Sequence, residues 1–257
     1  MTAHQQPSDN PRETEVSGDR PRRSWLNALV GVVISPPASF EIIRRNSPWL
    51  PTLLLLLLGT LVVGELSRPY QERGMRAQLA EVLPGGAEQA DLLMAAADQA
   101  GPVALWTGRA VAGVTFAVVL LIQTLLLWLL AMAFQGQARF PQALSLMVHL
   151  KWIALIQGFA TFLIASLRGL DAVQSMADAQ PVPGLNLLLA GDSTALNVVW
   201  ASVNPFTLWF LVLLGMGAAS VLGLPQRRGY LLAGVYWAAT TAFAATLAGV
   251  GAAVTRG

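Results

Sequence analysis

Two polar side chains, Arg109 and Gln123, stand 14 positions apart in one long apolar segment. On an α-helix this spacing leaves them about 40° apart around the axis, so they share one face. A cation and an amide on one face of a membrane helix could form part of a polar pathway for an ion or a solute. The alternative is that Arg109 pairs with an acidic residue of a nearby loop or extends to the lipid headgroups.

Two further polar residues, Gln157 and Asn204, also occur within apolar stretches, and both are candidates for intramembrane function. His149 and Lys151 open another apolar segment. Two positions apart on a helix, they point about 200° away from each other. Their spacing therefore does not predict a joint site.

The sequence lacks the motifs of common enzymes. It contains no HExxH, no G-x-S-x-G and no P-loop, and it has no cysteine. Its two histidines, His4 and His149, are too few for a histidine metal cluster. A net charge of +2, scattered along the chain, does not predict nucleic-acid binding. We therefore expect no enzymatic activity, no cofactor and no metal.

The composition predicts an all-α integral membrane protein. Of the 257 residues, 54% are hydrophobic and only 12% are charged, whereas soluble domains carry about 25% charged residues. Segments of about 20 apolar residues span the hydrocarbon core as helices. Five such segments are predicted, at about 49–66, 104–135, 143–167, 205–223 and 230–254.

The chain before the first span divides into two parts. Residues 1–23 are polar and of mixed charge, which predicts a disordered tail. The membrane domain is predicted over 24–254. Its first stretch, SWLNALVGVVIS, is apolar but too short to cross a bilayer.

The following stretch, ASFEIIRRN, has the pattern of an amphipathic helix at the membrane surface. Phe40 and Ile43 share one face, predicted to enter the acyl boundary, whereas Arg44 and Arg45 turn toward the headgroups. Trp49 would lie at the interface. These five residues are predicted to form a membrane-surface anchor; the alternative is a solvated turn.

The start of the fourth span has two interpretations. Asparagine caps helices and proline suits their first turn, so Asn204-Pro205 favours a helix that begins at 205. The preceding TALNVVWASV would then be a short helix at the interface. Alternatively, 195–223 is one helix that Pro205 kinks.

The first connection between spans, 67–102, is the longest. The stretches QERGMRAQLAEVL and AEQADLLMAAADQA favour helices, and the PGG between them favours a turn. A helical hairpin over the outer leaflet is predicted.

The distribution of basic residues predicts the orientation of the chain, because cytoplasmic segments carry more Lys and Arg. One set of alternate segments carries ten: Arg12, Arg20, Arg22, Arg23, Arg44, Arg45, Arg139, Lys151, Arg227 and Arg228. The other set carries six: Arg68, Arg73, Arg76, Arg109, Arg168 and Arg256. We therefore expect a cytoplasmic N-terminus, a C-terminus outside, and location in a bacterial cytoplasmic membrane.

Small residues recur every four positions in the last two spans, and such rows let helices approach closely in lipid. The rows are Gly215, Ala219 and Gly223; Gly234, Ala238, Ala242 and Thr246; and Ala245, Gly249 and Ala253. They predict either packing within one bundle or a contact between copies of the chain.

Three stretches together resemble the bacterial branch of the YIP-domain family, the Ypt/Rab-interacting-protein-like membrane proteins. They are ISPPASFEIIRRNSPWLPTLLLL, FPQALSLMVHLKWIALIQ and NPFTLWFLVLLGMGAASVLGLPQRRGYLLAGVYW. The resemblance covers about 24–254 and implies a five-span bundle with a cytoplasmic N-terminus. It implies no catalytic residue.

In the eukaryotic branch, such proteins bind prenylated small GTPases and help to shape or sort vesicle membranes. This sequence lacks the Asp-Leu-Tyr-Gly-Pro-Leu motif of that branch, which argues against GTPase binding. We expect a non-enzymatic scaffold or membrane-organising protein whose partners are the bilayer, other membrane proteins or further copies of itself. The alternative is a small permease or channel subunit, which needs polar groups that converge within the membrane.

Overall fold

The computed structural model describes residues 24–99, 101–137, 139–181, 184–187, 189 and 193–256. The predicted disordered tail, 1–23, lies outside these residues. In the described part, all regular structure is helical, which confirms the all-α prediction. The helices are α1 (Ser24–Ile34), α2 (Pro36–Asn46), α3 (Trp49–Val82), α4 (Gly86–Gln99), α5 (Gly101–Ala133), α6 (Phe140–Arg168), α7 (Met176–Ala179), α8 (Thr194–Ser202), α9 (Pro205–Val221) and α10 (Gln226–Arg256), with short 3-10 turns at Leu170–Ala172 and Leu185–Leu187.

Four of the described helices, α3, α5, α6 and α10, are long and apolar enough to cross a membrane. The pair α8–α9 passes the same test when taken together, although it is bent by 60° at a short break. The described chain thus has four candidate spans, or five if this pair forms one. It is a multi-pass integral membrane protein.

The break between α8 and α9 lies at Asn204. Its backbone is extended, and its side-chain oxygen accepts a hydrogen bond of 2.8 Å from the backbone N–H of Thr207. Pro205, which has no N–H to leave unpaired, is the first residue of α9. Of the two sequence interpretations, the structure therefore has separate helices with an asparagine cap.

The first span differs from its predicted bounds. α3 continues without interruption from Trp49 to Val82, with Pro69 inside it, rather than ending near residue 66. The helices of the predicted outer hairpin are thus the end of α3 and the separate α4, joined by a turn at 83–85. An ion pair of 3.3 Å between Arg76 and Asp91 connects them. Polar residues mark where a helix leaves the bilayer, but they do not by themselves end a helix.

The connecting segments meet in two groups at opposite ends of the long helices. At one end, the Gln137 N–H donates to the Leu222 carbonyl at 3.1 Å, and the Gln142 amide donates to the Arg44 carbonyl at 3.0 Å. At the other end, Arg73 lies 3.3 Å from Asp171, joining α3 to the segment after α6. Segments predicted to share one side of the membrane therefore contact each other.

The core lies at the end of the bundle that holds α2. Residues 143–150 of α6 are buried without exception, and α2, α3, α5 and α9 surround this helix. Elsewhere the helices have few protein neighbours, since only 11% to 22% of the most apolar window of each single-helix span is buried within the protein. Exposed apolar side chains such as Leu54, Ile122 and Leu247 therefore face lipid.

Candidate functional site

α1 and α2 form a tight helical hairpin at the core end of the molecule. Ser35 joins them, and α2 begins with Pro36. The Ser39 hydroxyl donates a hydrogen bond to the Ala28 carbonyl. Gly31 lets the helices approach, because a Cβ there would lie only 3.1 Å from the Ser39 Cβ. The hairpin is thus a compact unit of its own.

The hairpin is fixed to the bundle by Phe40 and Ile43, each of which has no exposed surface. Both belong to the core formed with α6, α9 and α10, and Trp49 packs against the same core. The sequence pattern placed Phe40 and Ile43 in the acyl boundary, whereas in the structure they face protein. An amphipathic pattern identifies the apolar face of a helix, but it does not say whether lipid or another helix covers that face.

Arg44 and Arg45 remain exposed, and both pair with Glu41 one turn earlier. The Arg44 and Arg45 side chains lie 2.8 and 2.5 Å from the Glu41 carboxylate. The hydrogen bonds from Arg44 and then Arg45 lower the pKa of the Glu41 carboxyl below its usual value. Glu41 therefore stays ionised, and the three side chains together carry a net charge of +1.

The outer face of α1 is apolar and exposed. Ile34 is 76% exposed and Val30 is 53% exposed, and Leu26 and Val33 lie on the same open surface. α1 has 11 residues, which corresponds to about 16 Å and cannot cross about 30 Å of hydrocarbon. An apolar helix of this length can be covered by lipid only within one leaflet.

Two of the four intramembrane polar candidates converge on one cavity. Gln123 from α5 and Gln157 from α6 line a cavity of about 260 Å³, together with Lys151, Thr207, Tyr236 and Trp237. Lys151 lies 11 residues after the start of α6 and faces this cavity. Sequence spacing did not single out this lysine, because most of the polar residues that share its cavity come from other helices.

Arg109 takes no part in that cavity. Its guanidinium lies 2.7 Å from the Glu65 carboxylate of α3 and 4.7 Å from the ring centre of Trp106. These residues line a separate, largely apolar cavity of about 670 Å³ between α3 and α5. Arg109 and Gln123 are therefore not brought together, and Asn204, the fourth candidate, is the helix cap described above.

One buried polar contact was not predicted at all. His149 is fully buried, its Nδ1 donates to the Ser145 carbonyl at 2.7 Å, and its Nε2 lies 3.2 Å from the hydroxyl of Thr52 in α3. With the hydrogen on Nδ1, Nε2 of the neutral ring is an acceptor for the Thr52 hydroxyl, whose single hydrogen is also within reach of the Pro48 carbonyl at 3.1 Å. The two residues are 97 positions apart, so no local pattern could indicate the pair.

Some residues of the predicted small-residue rows lie at contacts between helices, one lies in a turn, and others are exposed. Gly215 contacts α10, since a Cβ there would lie 2.3 Å from the Tyr230 ring, and Gly249 approaches Ala195 of α8. Gly223 has a φ of +71° in the turn after α9, so it does not extend a helical row. Ala219 is half-buried and Ala245 is buried, whereas Ala238 and Ala242 are exposed on α10.

Comparison with known proteins identifies the family. The model of the Yip1 domain matches residues 30–248, from α1 to α10. The chain belongs to the Yip1 domain family. Within this Yip1 domain lie most of the α1–α2 hairpin, the candidate spans apart from the end of α10, and the cavity that holds Lys151.

One relative of this Yip1-domain chain is a Bacillus subtilis (strain 168) protein described as "Membrane protein YknW". It is 26% identical over 230 residues, which cover 86% of this chain and 90% of the relative. No solved structure matches the chain. The match to the Yip1 domain confirms the resemblance found in the three sequence stretches.

Proposed function

We propose that this Yip1-domain chain is a non-enzymatic membrane-organising protein of a bacterial cytoplasmic membrane, and that its working surface is the α1–α2 hairpin. One observation carries the proposal. The hairpin is fixed to the bundle through the buried Phe40 and Ile43, while the apolar face of α1 and the Arg44–Arg45 pair stay exposed. A rigidly held apolar wedge with cations beside it would gather anionic lipid in one leaflet and present a constant surface to partners.

The charge distribution supports a cytoplasmic position for this end. Arg139, Arg227 and Arg228 lie there with the hairpin and, among the described residues, form no ion pair. At the opposite end, each of four arginines pairs with an acid: Arg68 with Glu72, Arg73 with Asp171, Arg76 with Asp91, and Arg109 with Glu65. Four of the arginine charges at the opposite end are thus offset by acids, whereas those of Arg139, Arg227 and Arg228 are not.

Cysteine labelling tests this orientation, because the chain has no cysteine of its own. Asn46, Ala87, Gln180 and Gln226 are exposed, so single cysteines at these positions would be reachable. We expect a membrane-impermeant thiol reagent added to intact cells to label positions 87 and 180 but not 46 and 226. Labelling at position 46 from outside would reverse the proposed orientation.

Lipid enrichment around the hairpin tests the function. A donor fluorophore on Ile34→Cys, in protein reconstituted into phosphatidylcholine vesicles with a minor fraction of phosphatidylglycerol, would report energy transfer to labelled lipids of either kind. We expect the anionic label to be enriched. Each unit of charge near an anionic surface contributes about 1 kcal/mol, or about fivefold in local concentration.

Two variants that change the charge of this cluster in opposite directions test whether the charge causes the enrichment. Arg44→Glu with Arg45→Glu changes the charge of the three-residue cluster from +1 to −3 and should abolish the enrichment. Glu41→Gln raises the cluster to +2 and should increase it, by up to about fivefold before salt screening. Arg168→Glu, at the opposite end, is the matched control and should change nothing. Equal enrichment in all four proteins would refute the proposal.

A second candidate, a small permease or channel subunit, is favoured by the cavity that Gln123, Gln157 and Lys151 share. It differs in its prediction for proteoliposomes. A permease would release trapped solute in a manner that Lys151→Met abolishes and that the arginine reversal leaves intact. A membrane-organising protein would release none.

A further inference from the structure

We propose that the cavity between α5, α6, α8, α9 and α10 is a binding site for a monoanionic amphiphile, a molecule with one carboxylate or phosphate group on an apolar body. Lys151 would pair with its charge. This site lies apart from the α1–α2 hairpin, and it does not depend on the proposed function.

The charge in the cavity is the first argument. Lys151 is the only lysine of the chain. The residues that line the cavity include no Asp or Glu, and among the described residues Lys151 forms no ion pair. A cation that is removed from bulk water in apolar surroundings is costly unless an anion accompanies it. The cavity thus lacks a negative charge that a ligand can supply.

Polar atoms without partners are the second argument. Trp237 Nε1 and Gln123 Oε1 are buried and have no hydrogen-bond partner, and both residues line the cavity. The indole N–H is only a donor, and the Lys151 ammonium supplies further donors. Both complement the acceptor oxygens of a carboxylate or phosphate, whereas the Gln123 oxygen, an acceptor, does not.

The remaining walls define the rest of the ligand. Ile153, Phe206, Phe210 and Leu211 supply apolar surface around the polar groups. A volume of about 260 Å³ accommodates a short acyl chain or one aromatic ring as well as the head group. The N-terminal turn of α9, at Phe206 and Thr207, adds a partial positive charge on the same wall. A small inorganic anion would leave the apolar walls unused.

The single lysine allows a direct test on the full chain. Reductive methylation with ¹³C-formaldehyde gives one lysine NMR signal besides that of the chain's amino terminus, and the dimethylated ammonium keeps its charge. We expect titration with octanoate, in neutral nanodiscs of phosphatidylcholine, to shift this signal saturably. Octanol, the uncharged analogue, should not shift it. Absence of a saturable shift, or an equal shift with octanol, would overturn the proposal.

Variants of the cavity locate the binding. Trp237→Phe removes the indole N–H and keeps an aromatic ring, and it should weaken octanoate binding about tenfold, as loss of a hydrogen bond to a charged group does. Lys151→Met should weaken octanoate binding by about tenfold or more. Because this variant has no lysine signal, its affinity is measured by calorimetry. Trp106→Phe, in the separate cavity beside Arg109, is the control and should leave the affinity unchanged. If Trp237→Phe binds octanoate like the wild type, the assignment to this cavity is wrong.

The anion has two sources, a free carboxylate or a lipid headgroup, and nanodiscs that contain phosphatidylglycerol separate them. If the lipid alone shifts the lysine signal and octanoate then competes, the natural ligand class is an anionic lipid. If the lipid has no effect while octanoate still binds, it is a free carboxylate. If neither shifts the signal, the cavity is not an anion site.

Discussion

Phe40→Ala should reduce the free energy of unfolding by about 3–5 kcal/mol, the usual cost of removing a large aromatic side chain from a protein core. Phe40 has no exposed surface, and its neighbours are the core residues of the bundle. If the Phe40 side chain contacted lipid rather than protein, its removal would weaken contact with the membrane and leave the bundle intact. The size of the effect therefore decides between a lipid anchor and a structural attachment.

The measurement is equilibrium unfolding in mixed micelles with increasing SDS, together with hydrogen exchange over 24–46. Loss of the attachment should both lower the unfolding midpoint and raise exchange in the hairpin. Ile34→Ala, in the same hairpin but 76% exposed, is the matched control and should leave both readouts near the wild-type values. If the two variants behave alike, Phe40 does not hold the hairpin to the bundle.

Gly229→Ala should destabilise the protein by about 1–3 kcal/mol, the usual cost of overpacking a tight contact. Gly229 lies in the first turn of α10, and a Cβ there would be 2.5 Å from the Gly215 carbonyl oxygen of α9. That oxygen belongs to the helix backbone, so the contact cannot be relieved by rotating a side chain. The helices must move apart, and the core between them must open.

The same helix provides the control for this prediction. Gly234 lies five positions later, and a Cβ there would meet nothing within 4 Å. Gly234→Ala should therefore be neutral, or stabilising by up to about 1 kcal/mol, because alanine favours the helix more than glycine does. Unfolding of the two variants in parallel should show destabilisation by Gly229→Ala only. If Gly229→Ala is as stable as Gly234→Ala, the close α9–α10 contact does not exclude a side chain at residue 229.

Local sequence signals identified the helices because they act between near neighbours. Long apolar runs predicted α3, α5, α6 and α10, and Asn204-Pro205 predicted the start of α9. A cap is a contact between residues three positions apart, so the sequence contains the whole interaction. The family resemblance could also be found from the sequence, since it rests on three short stretches in a fixed order along the chain. The match to the Yip1 domain confirms it.

Contacts between residues far apart in the chain could not be predicted from the sequence. The amphipathic pattern identified the apolar face of α2, but only the position of α9 and α6 shows that protein covers Phe40 and Ile43. In the same way, the spacing gave Arg109 and Gln123 a common face and left pairing of Arg109 with an acid as the alternative, and only the position of α3 shows that Glu65 is that acid. Lys151 became a candidate only because α5 and α10 bring Gln123 and Trp237, each with a polar atom that lacks a partner, to the same cavity.

In a membrane protein, the physical reason for this division is that apolar residues serve two environments. Lipid and the protein core accept the same side chains, so hydrophobicity determines which segments enter the membrane but not which faces meet. The sequence by itself determined the class, the helices and the uneven charge of the two ends. The tertiary structure decided what those helices bury: the hairpin fixed by Phe40, the Thr52–His149 contact, and the cavity around Lys151.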